Sequence, residues 1–304
     1  MVYWSLRKTE EAKAHGEKEK IQPGNGDPGI IALVLALAAA VLTVVCLPYF
    51  SEDPATIAAD PAEPPPTRLP PEPEPTLPPP DPNPYGSLDF QYDENNYLKL
   101  IDGDSVTGID VSSYQGKIDF EAVKASGVDF VIIRLAYRGY ETGRIVFDKM
   151  AFDNLEGAAA AGLDIGVYFF SQAITPEEAE EEAYFVLEAI KDYDLVMPIV
   201  YDWESVSDPD ARTADMDRQT LTKCCKAFLE TIDAAGYRSM LYFNRRQARL
   251  HMDISALKEY EFWLAAYTDR MDFPYRIDMW QYTNTGRVPG IVGDVDINVY
   301  FPKS

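Results

Sequence analysis

From Thr107 onward the chain alternates short apolar stretches with segments whose apolar residues recur at helical spacing. Eight strands are expected, over residues 107–111, 130–137, 165–171, 198–204, 239–244, 262–267, 277–283 and 295–299. Between the fourth and fifth, Leu221, Cys225, Phe228 and Ile232 mark one face of a helix. Pro176 followed by an acidic run predicts a helix start, because the first turn needs no amide from proline and its free N–H groups favour negative charge. Gly162 and Gly236 stand where helices should stop. Strand–helix alternation predicts a parallel sheet, and eight strands in roughly 200 residues predict an α/β chain folded as a compact (β/α)8-like TIM barrel. The connections after the fifth to seventh strands are short for full helices, so an incomplete barrel is expected on that side.

The pattern before residue 107 is different. Residues 29–47 read GIIALVLALAAAVLTVVCL, without a charge. A helix of that length spans roughly 28 Å, close to the hydrocarbon thickness of a bilayer. A cleaved signal peptide is the alternative, but its apolar region is usually about 7–15 residues and precedes a small-x-small site. Here the run ends in Val-Val-Cys-Leu-Pro, and the bulky valines before Cys46 argue against a lipoprotein anchor. Arg7, Lys8, Lys13, Lys18 and Lys20 precede the run and only Arg68 follows soon after. The positive-inside rule then puts the N-terminus in the cytoplasm and the barrel outside. Pro54 to Pro84 holds fourteen prolines in thirty-one residues, a composition that buries no core. It reads as a stiff stalk of up to about 95 Å at polyproline rise. The expected organisation is a cytoplasmic tail (1–28), a transmembrane anchor (29–47), a proline-rich linker (48–84), a lead-in of unassigned structure (85–106) and the barrel (107–304).

Charge and composition narrow the chemistry. The formal net charge of −23 repels nucleic acid and anionic membrane surfaces, so neither is an expected partner. With two His, one of them His15 in the charged N-terminal segment, and no G-x-S-x-G elbow, a serine triad has little support. Three Cys build no disulfide framework, and adjacent Cys224 and Cys225 with one distant His251 lack metal-ligand spacing. Cys225 fits a small core position.

Barrels of this kind carry their chemistry at the carboxy-terminal ends of the strands. Acids stand there on the first strand (Asp110), the fourth (Asp202, Glu204) and the eighth (Asp294, Asp296). Residues two apart on a strand share a face, so Asp202 and Glu204 point together, as do Asp294 and Asp296. Carboxylates ending apolar strands must be paired or hydrogen-bonded unless they form a solvated rim, the reading that suits Asp294 best. Several carboxyls in one cleft cannot ionise independently, which leaves one protonated beside an ionised neighbour, the pairing that glycosidic cleavage requires. Tyr137, Tyr168, Phe170, Trp263, Tyr267 and Trp280 are candidates for an aromatic rim that packs on sugar faces, although each alone also fits a core position. Arg134, inside an apolar strand, needs an acidic partner, for which Asp110 and Asp202 are the candidates.

Gly-Ile-Asp-Val-Ser-Ser-Tyr-Gln-Gly (108–116) resembles the opening motif of the family 25 glycoside hydrolases, the Chalaropsis-type lysozymes. The likeness continues through residues 130–139, 166–171, 198–204 (Pro-Ile-Val-Tyr-Asp-Trp-Glu), 279–283 and 294–298, and so covers 107–301. The resemblance implies a flattened barrel, no metal and no organic cofactor. It implies N-acetylmuramidase activity on the β-1,4 bond between N-acetylmuramic acid and N-acetylglucosamine of peptidoglycan glycan strands. It further implies Glu204 as general acid/base, Asp202 as the neighbour that orients or stabilises the substrate, and Asp110 and Asp296 completing an acidic floor. Tyr137, Tyr168, Phe170, Trp263, Tyr267 and Gln281 are implied as groove residues, with Arg134 a further candidate. Whether an enzyme carboxylate or the substrate acetamido group is the nucleophile stays open. Ala136 and Tyr137 depart from the smaller or polar residues usual in the family. Hydrolysis of another N-acetylhexosamine polymer such as chitin, or glycan binding without turnover, are the competing functions.

Overall fold

The computed structural model describes residues 77–303. The expected tail and anchor, and the linker up to residue 76, lie outside the described residues. Among the described residues no helix is long and apolar enough to cross a membrane.

All eight expected strands form: β3 (Val106–Val111), β4 (Phe130–Arg138), β6 (Asp164–Ser171), β7 (Ile199–Trp203), β8 (Ser239–Asn244), β9 (Glu261–Ala265), β10 (Met279–Gly286) and β11 (Val295–Tyr300). They close a barrel in the order β3-β4-β6-β7-β8-β9-β10-β11, with β11 pairing back to β3. Six of the pairings are parallel, but β11 runs antiparallel to both β10 and β3, which corrects the expectation of an all-parallel sheet. The physical reason is length: residues 287–294 are fewer than the dozen or so that a parallel crossover needs.

Helices α1 (Phe120–Ala125), α2 (Ala151–Ala160), α3 (Pro176–Ile190) and α4 (Arg218–Ala234) follow the earlier strands, and α5 (Arg245–Leu250) is short. On α3, Thr175 caps the Glu178 amide and Pro176 opens the first turn, as its sequence predicts. Leu221, Cys225, Phe228 and Ile232 of α4 are buried against the sheet, with Cys224 beside them. No helix follows β9 or β10. The sheet therefore closes, while the helical ring stays incomplete on the expected side.

The lead-in fills that gap. Its hairpin, β1 (Phe90–Tyr92) and β2 (Leu98–Leu100), covers the outer face of β10. The Phe90 ring lies edge-on to Trp280 at 5.2 Å, Tyr85 packs on Phe301 at 4.5 Å, and the Leu98 amide donates to the Tyr282 hydroxyl at 3.2 Å. Trp280 is thus a wall residue, donating its indole N–H to the Ala266 carbonyl at 2.9 Å, and not part of a sugar-facing rim. Strand alternation puts Phe130, Ile132, Val200, Met240, Trp263 and Met279 inside the barrel. Gly108 is required beside them, since a Cβ there would meet the Phe130 ring at 2.2 Å.

Leu98 is 2% exposed in this hairpin and Leu88 is 89% exposed just before it. Leu98→Ala should lower unfolding free energy by about 2–5 kcal/mol, and Leu88→Ala by no more than about 0.5. Urea denaturation checks this, and equal midpoints for the two variants would refute an integral role for the hairpin.

Candidate active site

Above its apolar floor the barrel interior turns polar. Asp110 ends β3 in a buried position, and its Oδ2 accepts from Gln281 Nε2 at 2.8 Å and from Asn298 Nδ2 at 2.9 Å. Asn298 Oδ1 accepts the Trp263 indole N–H at 2.9 Å. Gln281 Oε1 accepts from the hydroxyls of Tyr242 at 3.0 Å and Tyr267 at 3.1 Å. One network thus runs across β8, β9, β10, β11 and β3. Asp110 and Asp296 are register partners across the β3–β11 seam. Asp202 is 5% exposed at the end of β7, and its Oδ1 has no hydrogen-bond partner. Glu204 lies just past the strand, facing the same groove.

A groove of about 770 Å³ lies over these acids. Eleven of the residues singled out in the sequence line it: Asp110, Asp202, Glu204, Asp296, Tyr137, Tyr168, Phe170, Trp263, Tyr267, Gln281 and Arg134. Asp294 does not; it sits in the loop before β11, exposed and bridging Arg287 at 2.8 Å. The partner of Arg134 is also corrected. It is Asp148, reached at 2.8 Å from Nε and 2.6 Å from Nη2, and neither Asp110 nor Asp202. The guanidinium lies 5.0 Å from the Tyr114 ring centroid and 5.7 Å from that of Tyr137. Tyr137 reaches the groove because β4 bulges between Arg134 and Ala136. Arg138, also at the groove wall, donates to Glu182 of α3 at 2.6 Å. His251 lies tilted against Trp203, with ring centroids 5.7 Å apart, and does not line the groove. Among the described residues no group of three or more His, Cys, Asp or Glu is placed to hold a metal ion.

A family model described as glycosyl hydrolases family 25 matches residues 109–291. The chain belongs to this family. It is similar to the autolytic lysozyme of Clostridium acetobutylicum, 26% identical over 194 residues that cover 64% of this chain and 55% of that protein. It is also similar to lysozyme M1 of Streptomyces globisporus, 28% identical over 216 residues covering 66% of this chain and 69% of the relative. Among solved structures, the modular autolysin LytC from Streptococcus pneumoniae, in complex with a synthetic peptidoglycan ligand, superposes with a TM-score of 0.59 at 28% identity. That match covers 70% of this chain and 50% of LytC. The chain therefore spans about half the length of the autolytic lysozyme and of LytC.

In this family 25 barrel the acids share one electrostatic field. Burial, and then the repulsion of Asp296, pushes the Asp110 carboxyl well above the usual carboxylate range, against the hydrogen bonds from Asn298 and Gln281. Burial likewise raises Asp202 strongly, followed by repulsion from Glu204 and Asp110, with Arg134 opposing. Burial raises Glu204. Asp296 is pushed up to about 6, chiefly by burial. The buried phenols of Tyr168 and Tyr242 are raised too, so both stay neutral donors. The cluster can hold a proton on one carboxyl beside an ionised neighbour, which is a general acid/base arrangement.

Asn298 and Tyr242 belong to the site, yet sequence reasoning misses both. Asn298 carries a usable signal, since it lies two residues beyond Asp296 on the same strand face. Tyr242 has only its strand alternation, which marks interior position and not chemistry. Asp148 follows β5 (Ile145–Phe147), a three-residue strand that no hydrophobic periodicity announces.

The raised Asp296 carries a stability consequence. Its carboxyl titrates near 3.9 when unfolded and at about 6 when folded, so the fold favours the protonated form. That contribution is present below about pH 4 and is lost as pH rises through about 6. Asp296→Asn should therefore stabilise the protein by on the order of 1–3 kcal/mol at pH 8 and by nothing measurable at pH 3. Denaturation at both pH values tests this; the same gain at each would remove the electrostatic explanation.

Proposed function

We propose that this chain is an N-acetylmuramidase that hydrolyses the β-1,4 bond between N-acetylmuramic acid and N-acetylglucosamine in peptidoglycan glycan strands. The observation that carries the reading is the convergence of Asp110, Asp202, Glu204 and Asp296 on one aromatic-lined groove. Membership of family 25 and likeness to an autolytic lysozyme and to peptidoglycan-bound LytC support it. Glu204 is more accessible than Asp202 and holds its proton through burial, so it acts as general acid toward the leaving oxygen and then as base toward water. Asp202 is deeper and its Oδ1 has no partner, which leaves an acceptor free to orient and stabilise the substrate. Asp110 and Asp296 form the acidic floor. Tyr137, Tyr168, Phe170, Trp263 and Tyr267 supply apolar faces for sugar rings, Gln281 orients the floor, and Arg134 stands in the wall.

The charge-free run of residues 29–47 supports a further proposal, that the enzyme is a single-pass membrane protein with its N-terminus in the cytoplasm. The proline-rich stalk would then carry the barrel toward the wall, and tethering would raise its effective concentration there.

Purified wild-type protein should release reducing muropeptides from defined peptidoglycan, identified by mass spectrometry. Glu204→Gln should remain folded and lose at least about a hundredfold in kcat. Full activity in that variant would end the role given to Glu204. Faster turnover of chitin than of peptidoglycan would favour the other polymer, and tight binding of muropeptides without turnover would favour a binding protein. For the anchor, the full-length protein should sediment with membranes and retain residues 1–28. A soluble product beginning after residue 47 would instead show signal-peptide cleavage.

A further inference from the structure

The carbonyls of Trp203 and Glu204 lie where β7 is running out of sheet. The ladder to β8 ends at Asp202–Tyr242 and the ladder to β6 ends at Ser171–Trp203. Past these points the chain turns into the loop that leads to α4. A buried carbonyl left without a donor there would be destabilising and would leave the peptide free to rotate. Two glutamines supply the donors. Gln172, fully buried just after β6, donates its Nε2 to the Glu204 carbonyl at 2.9 Å and to its neighbour's Ser171 carbonyl at 2.9 Å. Its Oε1 accepts the buried Thr213 hydroxyl at 2.6 Å. Gln247, 2% exposed on α5, donates its Nε2 to the Trp203 carbonyl at 2.5 Å, while its Oε1 accepts the Asn244 amide at 2.6 Å.

Each amide therefore has one end committed to the scaffold and the other to one of the two peptide units that flank Glu204. Gln247 is anchored by the capping box that starts α5, and Gln172 by β6 and Thr213. Neither side chain lines the groove. Both act on Glu204 through its backbone alone.

We propose that Gln172 and Gln247 are positioning residues that clamp the two peptide units flanking the Glu204 Cα, Gln247 the one before it and Gln172 the one after it, and so set the reach of the Glu204 carboxyl into the groove. The inference rests on the reading of Glu204 as the acid/base. A misplacement of about 1 Å in a reacting group can lower turnover by about a hundredfold without changing what the groove binds.

The test uses the full chain and Gln172→Met, which keeps length and burial but removes donor and acceptor. Thr213→Val is the second variant, loosening the same amide without touching Glu204. With peptidoglycan as substrate, Gln172→Met should lower kcat about 10- to 100-fold with KM within about twofold, and Thr213→Val should lower kcat in the same direction by less. Carboxyl NMR of the Glu204 side chain, assigned by its loss in Glu204→Gln, gives a readout that needs no turnover. Its titration midpoint should fall by at least about half a pH unit in Gln172→Met, as the released carboxyl gains access to water. Asp202, Asp110, Asp296 and the phenols of Tyr242 and Tyr267, which face Glu204, are unaltered by either substitution. Wild-type kcat in folded Gln172→Met, an unchanged midpoint, or a rise in KM that accounts for the whole loss would overturn the proposal. If wild type shows no turnover while the midpoint still moves, the muramidase reading fails and the clamp stands. If Gln172→Met does not fold, the same kcat and midpoint criteria apply to Thr213→Val.

Discussion

Two carboxylates face each other across the seam that closes the barrel. β11 enters antiparallel between β10 and β3, and its register sets Asp296 directly opposite Asp110. Like charges in that relation repel. The repulsion is inescapable, because without this seam the sheet has two open edges. It is relieved in two ways. The amides of Gln281 on β10 and Asn298 on β11 donate to Asp110. Asp296, the more exposed partner, retains its proton to about pH 6. The seam that completes the fold thus adds repulsion at Asp110 to the proton affinities that burial mainly sets.

Depth along the barrel axis grades the interior from apolar to charged. Phe130, Ile132, Val200, Met240 and Met279 fill the lower interior and exclude water. That apolar layer raises the cost of charge on the acids above it, so Asp110 and Asp202 are driven toward their neutral forms mainly by burial. Glu204 stands higher, beyond the end of β7, where sheet pairing no longer holds the chain. The barrel therefore supplies the field, and side-chain amides outside the groove supply the local order at Glu204.

Much of this is legible in the sequence. The eight strands show themselves because each is buried on both faces and reads as a short apolar run between turn residues. The acids show themselves because a carboxyl ending such a run is conspicuous. Other features are silent for identifiable reasons. Tyr137 faces the groove with Arg134 because a bulge in β4 adds a residue between them, which strict alternation does not foresee. Asp148 lies beyond a strand too short to carry a period, so sequence alone points Arg134 to the wrong partner. Trp280 reads as a rim aromatic because nothing in its own strand reveals that a hairpin from residues 90–100 covers its outer side.

By itself the sequence determined the kind of fold, the identity of the four acids and the side of the barrel on which helices would be missing. Those properties are local: they follow from hydrophobic period, connection length and the residues at strand ends. The direction of the last strand, the hydrogen-bond partners of each acid and the glutamines behind Glu204 were decided only in three dimensions. Each depends on groups far apart in the chain, such as Gln281 and Asn298 meeting Asp110, and no local pattern encodes which distant donor will be in reach once the barrel has closed.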